Sequence, residues 1–115
     1  MLTGRNALVT GAGKGIGKAI AMELAANGAF VIVNYNGSKA AAEQTVAEIK
    51  EAGGDAVAYQ CNVADYKACA GMTADLIKSY AHIDILVNNA GITRDGLLMK
   101  MSEEDFDAVV NTNLK

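Results

Sequence analysis

Short runs rich in β-branched residues alternate along the chain with longer stretches whose apolar positions recur every three or four residues. Asn6–Thr10 predicts a first strand that enters a glycine-rich turn at Gly11. A helix is expected from about Gly15 to Asn27, with Ile16, Ile20 and Leu24 on one stripe and Gly28 as its stop. Phe30–Asn34 reads as a second strand, apolar throughout as expected when both sheet faces are covered. Ser38 is a candidate cap for a second helix carrying Ala42, Val46 and Ile49, which ends at Gly53-Gly54. Ala56–Cys61 gives a third, weaker strand, and Asp65 caps a third helix with Cys69, Met72, Leu76 and Tyr80 on its inner side. Ile83–Asn88 is the fourth strand. Ser102, followed three residues later by Asp105, has capping-box spacing, and Phe106, Val109, Val110 and Leu114 predict a final helix. Strands alternating with helices imply right-handed βαβ units on a parallel sheet: an α/β, doubly wound fold.

That final helix has no glycine stop, and its stripe runs to Leu114, one residue from the end of the sequence. A helix end needs partners for its last carbonyls, and the fourth strand is left as an open apolar edge. Residues 1–115, with about four strands and their flanking helices, are therefore expected to form the first half of a larger Rossmann-type fold. The 115 residues suit one domain rather than two. With 51% hydrophobic and 20% charged residues, the composition is globular and excludes a disordered tail. No apolar run approaches the roughly 18 residues of a spanning helix, and no leader opens the sequence, so a soluble, cytoplasmic protein with no membrane partner is expected. A formal net charge of -3 argues against a nucleic-acid partner. Cys61 and Cys69 fall in separate elements without metal-type neighbours and are expected to be reduced core thiols; no metal site is expected.

The chemistry-bearing segment is Thr10-Gly11-Ala12-Gly13-Lys14-Gly15-Ile16-Gly17, between the first strand and the first helix. Glycines there allow a tight turn and close approach of the backbone to an anion, which amides and the helix dipole then hold. The Walker pattern fails twice: the position five before Gly17 is Ala12, and Lys18 is followed by Ala19. Gly-x-Gly-x-x-Gly fails too, because counting from Gly11 and Gly13 puts its third glycine on Ile16. The spacing present is Gly-x-x-x-Gly-x-Gly, at Gly11, Gly15 and Gly17.

This Thr-Gly-x-x-x-Gly-x-Gly loop, together with Asn88-Asn89-Ala90-Gly91 after the fourth strand, resembles the short-chain dehydrogenases/reductases over the whole chain. Within that family, Ile85 to Met101 and the segment Asn111-Thr112-Asn113-Leu114-Lys115 are most similar to the 3-oxoacyl-acyl-carrier-protein reductases of fatty-acid synthesis. The resemblance implies that Gly11, Gly13, Gly15, Ile16 and Gly17 hold a diphosphate, and that Tyr35 takes the ribose-binding position at the end of the second strand. Tyr35 is flanked by Asn34 and Asn36, so no carboxylate is there to repel a 2′-phosphate. Lys14 is similar to the basic residue of NADP-preferring members, and Ser38 or Asn36 could add hydrogen bonds, which makes NADPH the expected cofactor. Asn62 and Val63 match the adenine grip, although Asn62 stands where Asp is commoner. Asn88, Ala90 and Gly91 resemble cofactor-lining positions, Asn89 is expected to tie strand ends together, and Asn113 matches an asparagine of a proton relay.

Reduction of a carbonyl also needs a proton donor beside the developing alkoxide. In this family that group is a Tyr followed four residues later by Lys, with a Ser nearby. Tyr35 and Lys39 have the spacing, but their place at the end of the second strand puts them by the adenosine. Tyr59, Tyr66 and Tyr80 are followed at that distance by Val63, Ala70 and Asp84, so the catalytic Ser, Tyr and Lys are expected beyond Lys115. His82, Asp84 and Asp95 lack partners in catalytic spacing, and Met99 and Met101 are read as packing residues. The resemblance implies an acyl-carrier-protein-linked substrate and a homotetramer for the complete enzyme. Two alternatives stay open: a noncatalytic dinucleotide-binding fragment, and a reductase of another carbonyl such as acetoacetyl-CoA.

Overall fold

The computed structural model describes residues 1–13, 15–89 and 108–111; of Tyr66 and residues 108–111 it describes the backbone alone. The elements run β1 (Asn6–Val9), α1 (Gly15–Ala26), β2 (Phe30–Tyr35), α2 (Lys39–Glu51), β3 (Asp55–Gln60), α3 (Tyr66–Tyr80), β4 (Ile85–Asn88) and β5 (Ala108–Asn111). They build a parallel sheet in the order β3-β2-β1-β4-β5. The chain winds outward from β1 through β2 to β3, then crosses back to place β4 on the other side of β1. That reversal leaves a crevice at the carboxyl ends of β1 and β4, the place where open α/β sheets take ligands.

Alternate residues of each strand feed two separate cores. Ala7, Val9, Val31, Val33 and Val87 face a cluster with Ala21 and Ala25 of α1 and Ala42 and Ile49 of α2. Leu8, Ile32 and Leu86 face the other side, against Cys69, Met72 and Leu76 of α3. With both faces covered, the strands carry apolar residues at every central position, which explains the continuous runs seen in the sequence. Ser38 and Asp65 cap their helices as expected: Ser38 Oγ accepts from Ala41 N at 3.2 Å, and Asp65 Oδ1 from Lys67 N and Ala68 N at 2.9 and 3.1 Å. On α3 the expected stripe is buried at Cys69, Met72 and Leu76, and the Tyr80 ring packs against Phe30 at 5.0 Å between centroids.

Three expectations are corrected. On α1 the buried residues are Gly17, Ala21 and Ala25, whereas Ile16 is 47% exposed and Ile20 and Leu24 are half-buried. Small residues face the sheet because α1 starts within a single turn of β1 and must lie close to it. On α2 the buried stripe is Ala42, Thr45 and Ile49, with Val46 only half-buried. Thr45 can be buried because its hydroxyl lies 3.1 Å from both the Gly13 and the Ala41 carbonyls. Finally, Ala108–Asn111 is not helical: it is strand β5, in register with Ile85–Asn88. The β-branched Val109-Val110 pair suits a strand, and the pairing covers the edge of β4 that would otherwise stand open. The proposed cap Ser102 and the rest of that segment lie outside the described residues.

Leu8 sits at the centre of the sheet, fully buried on β1 between β2 and β4. Leu8→Ala is expected to lower stability by about 2–5 kcal/mol, read as a shifted urea midpoint with little change in slope.

Candidate functional site

The turn between β1 and α1 is made of backbone, and its neighbours hold it in shape. Thr10 N donates to Val87 O at 3.0 Å, which locks the end of β1 to β4. The Thr10 hydroxyl accepts from Asn89 N at 2.8 Å and lies 3.2 Å from Asn88 Oδ1. Asn89 Nδ2 reaches the Gly11 carbonyl at 3.4 Å, so Asn89 does tie the two strand ends together. From the other side, the buried Asn34 of β2 accepts Gly11 N on Oδ1 at 3.2 Å and Ala12 N on its main-chain oxygen at 3.0 Å. Its Nδ2 donates to Cys61 O at 3.1 Å.

Two glycines of this turn are required by geometry. A Cβ on Gly17 would run into the Gly11 carbonyl oxygen and would lie 2.5 Å from Asn89 Nδ2. Gly15 has φ +63, which side chains rarely tolerate, yet a Cβ there would meet nothing within 4 Å. That open space adjoins the first turn of α1, where no side chain is acidic. An anion seated there lies at the positive end of a 12-residue helix, whose first N–H groups have no partner within the helix itself. The cradle therefore fits a phosphate or diphosphate group.

An open cleft of about 340 Å³ lies beside the turn, lined by Gly11, Gly13, Tyr35, Asn36, Gly37, Ser38 and Ala41. Among the described residues, none that line it is acidic. The amino end of α2, with Ser38 as its cap, borders it. Ser38 Oγ is used as an acceptor by the cap, which leaves its hydroxyl proton free to donate. Asn36 is held through Oδ1 by Gln60 Nε2 at 3.3 Å, so its own amide can turn toward a ligand. On the far side of β2, Asn62 is exposed and its Oδ1 closes a turn by accepting Ala64 N at 3.0 Å. Val63 is buried, and its carbonyl accepts the Cys69 thiol at 3.2 Å.

The structure thus brings Gly11, Gly13, Gly15, Ile16, Gly17, Tyr35, Asn36, Ser38 and Asn88 to one rim of the sheet, with Asn62 and Val63 following β3 at the same end. Lys14, Ala90, Gly91 and Asn113 lie outside the described residues. Thr45 carries no expectation from the sequence, and Thr10 and Asn34 enter it only as the first letter of the loop motif and as a neighbour of Tyr35, although all three shape the turn. A signal existed for Asn34: a carboxamide in an otherwise apolar strand has to find partners when buried. His82 stands at the opposite end of the sheet, where Nδ1 pairs with Asp84 Oδ2 at 2.7 Å and Asp84 also accepts Asn6 N at 2.8 Å. Both cysteines are free and buried; burial, reinforced by its neighbour Cys69, pushes the Cys61 thiol up to about 11, and burial also raises Cys69. At neutral pH both are therefore protonated thiols.

Residues 5–115 match the family described as short chain dehydrogenase. The 3-oxoacyl-[acyl-carrier-protein] reductase FabG of Staphylococcus aureus strain Mu50 is 52% identical over 111 residues, which cover 96% of this chain and 45% of that protein. The 3-oxoacyl-[acyl-carrier-protein] reductase of Synechocystis is 51% identical over 113 residues, covering 98% of this chain and 46% of its own length. Among solved structures, a metagenomic short-chain oxidoreductase in complex with NADP superposes with a TM-score of 0.76 at 36% identity, covering 79% of this chain and 41% of that one. The chain spans just under half the length of the curated relatives it matches.

Gly17→Ala is expected to cost about 1–3 kcal/mol, because the added methyl must displace both the Gly11 carbonyl and the Asn89 amide. Unfolding midpoints of the two proteins measure this, and an unchanged midpoint would mean that the turn is not held as described. Alkaline pH supplies a second check. The ordinary thiol value is 9.0, and the folded chain holds the Cys61 proton to about 11. Unfolded chains release that proton first, so stability is complete below pH 9.0 and is lost as the pH rises toward about 11. A Cys61→Ala variant should show a shallower decline across that window.

Proposed function

Since the chain belongs to the short chain dehydrogenase family, we propose that it supplies the cofactor-binding half of an NADPH-dependent reductase. The proposed substrate is a 3-oxoacyl thioester on acyl carrier protein, reduced to the 3-hydroxyacyl thioester. Support for the substrate comes from two relatives of that activity at 52% and 51% identity. Support for the cofactor comes chiefly from one observation: a glycine turn with open space at Gly15 adjoins a cleft whose lining, among the described residues, holds no carboxylate. The metagenomic neighbour whose structure contains NADP points the same way.

In this reading Gly13, Gly15, Ile16 and Gly17 offer main-chain N–H groups to the diphosphate, since α1 begins there and its first turn carries no acidic side chain, while Gly11, whose own N–H is taken by Asn34 Oδ1, shapes the turn beneath it. The adenosine ribose and its 2′-phosphate occupy the cleft over Tyr35, where Asn36 and Ser38 donate hydrogen bonds and Lys14 supplies a countercharge. The amino end of α2, which begins with Lys39, adds favourable potential for that phosphate. Asn62 and Val63 take the adenine edge. Asn88, Ala90 and Gly91 line the nicotinamide side at the β1–β4 crevice, and Asn113 serves the proton relay. Once bound, the cofactor supplies the hydride for the 3-carbonyl. The Ser, Tyr and Lys that orient the carbonyl and deliver the proton belong, in this proposal, to the remainder of a cytoplasmic homotetramer.

Fluorescence titration of the complete protein with NADPH and NADH tests the cofactor assignment. NADPH is expected to bind at least about tenfold tighter, a difference of ~1.4 kcal/mol. Tyr35→Asp should reverse part of that preference by setting a carboxylate against the 2′-phosphate. Equal affinities in the unaltered protein would overturn the NADPH assignment. Absence of turnover with a 3-oxoacyl carrier-protein thioester, alongside normal NADPH binding, would overturn the substrate.

A further inference from the structure

We infer that Asn34 is a positioning residue for cofactor capture, whose carboxamide locks the glycine turn to the loop that begins at Cys61. The inference rests on the cofactor site proposed above. Asn34 is 2% exposed and lies one residue before the end of β2. Its Oδ1 accepts Gly11 N at 3.2 Å, and its main-chain oxygen accepts Ala12 N at 3.0 Å. Its Nδ2 donates to Cys61 O at 3.1 Å and lies 3.4 Å from Tyr59 O. One side chain therefore grips the β1–α1 turn on one side and the exit of β3 on the other. Asn62 and Val63, the proposed adenine contacts, follow Cys61 directly.

The strand ladder of β2 does not itself demand an amide at this place; the demand comes from the Gly11 N–H and the Cys61 carbonyl that it joins. The preceding β2 positions are Val31, Ile32 and Val33, all fully buried, and another aliphatic residue would continue that run. Burying a carboxamide is costly unless both its donor and its acceptor are satisfied. A hydroxyl is too short to span the two loops, and a carboxylate would place an acceptor against the Cys61 carbonyl. Asparagine is the compact side chain that offers one acceptor and one donor in opposite directions. The consequence is a fixed spacing between the diphosphate cradle and the adenine loop before any ligand arrives. Pre-organisation of that kind raises affinity for a ligand that spans both loops and leaves the chemistry of the bound complex alone.

The test uses the complete protein and Asn34→Ala. The dissociation constant for NADPH and the KM for NADPH should each rise about tenfold, with kcat at saturating NADPH within about twofold of the unaltered enzyme. A folded Asn34→Ala protein with unchanged NADPH affinity would make Asn34 a purely structural residue and overturn the inference, as would a fall in kcat with KM unchanged. If that variant does not fold, hydrogen exchange on the unaltered protein decides. Inorganic pyrophosphate, which reaches the glycine turn alone, should slow amide exchange in residues 61–64 as well as in 11–13. Slowing confined to 11–13 would overturn the brace while leaving the cofactor site intact. An unaltered protein that binds neither pyrophosphate nor NADPH would instead remove the proposed site, and the role of Asn34 with it.

Discussion

The close approach of α1 to the carboxyl end of β1 governs the rest of the molecule. Gly17 packs so tightly on the Gly11 carbonyl that no side chain fits between them. With the helix drawn in this far, its buried stripe has to be small, and Gly17, Ala21 and Ala25 supply it. The larger Ile20 and Leu24 flank the contact, and Ile16 is displaced into solvent beside the turn. The same approach leaves open space at Gly15, beside the amino end of α1. Packing and anion-binding geometry are thus two consequences of one contact.

Around that contact the polar groups form a frame. Thr10 and Asn89 fasten the turn to β4, Asn34 fastens it to β2 and the exit of β3, and Thr45 fastens the Gly13 carbonyl to α2. Each of these side chains is buried or half-buried, so an unmade bond would carry a desolvation penalty of about 1–3 kcal/mol. No buried side-chain N or O among the described residues lacks a partner. A backbone turn with little side chain of its own is in this way held rigidly from three directions. The Lys18–Glu48 ion pair at 2.5 Å adds a link between α1 and α2 at the surface, and the Lys18 hydrogen bond holds the Glu48 carboxyl below its usual range.

Electrostatics then separates the two ends of the sheet. At the carboxyl rim the cleft lining among the described residues is free of carboxylates and the amino ends of two helices lie close by, which favours a ligand of high negative charge. At the opposite end His82, Asp84 and Asn6 satisfy one another and join β1 to the start of β4. A carboxylate and an imidazole, the groups that most often draw attention as acid–base candidates, are here occupied in holding strands together. Placement in the fold, rather than residue type, decides their role.

The order of strands and helices, both helix caps and the glycine spacing were legible in the amino-acid sequence, because each depends on neighbours within one or two turns of chain. The first four strands and three helices lie where periodicity places them, shifted by one or two residues at their ends. Tertiary contact alone decided which face of α1 is buried, since that depended on how near the helix lies to β1. It also decided that Ala108–Asn111 pairs with β4 as a strand, because helical spacing of Val109 and Val110 is indistinguishable from a short β-branched run until an unpaired edge is available. Asn34, Thr10 and Thr45 gained their roles in the same way: their partners lie between 4 and 79 residues away along the chain, and only folding brings most of them within hydrogen-bond reach.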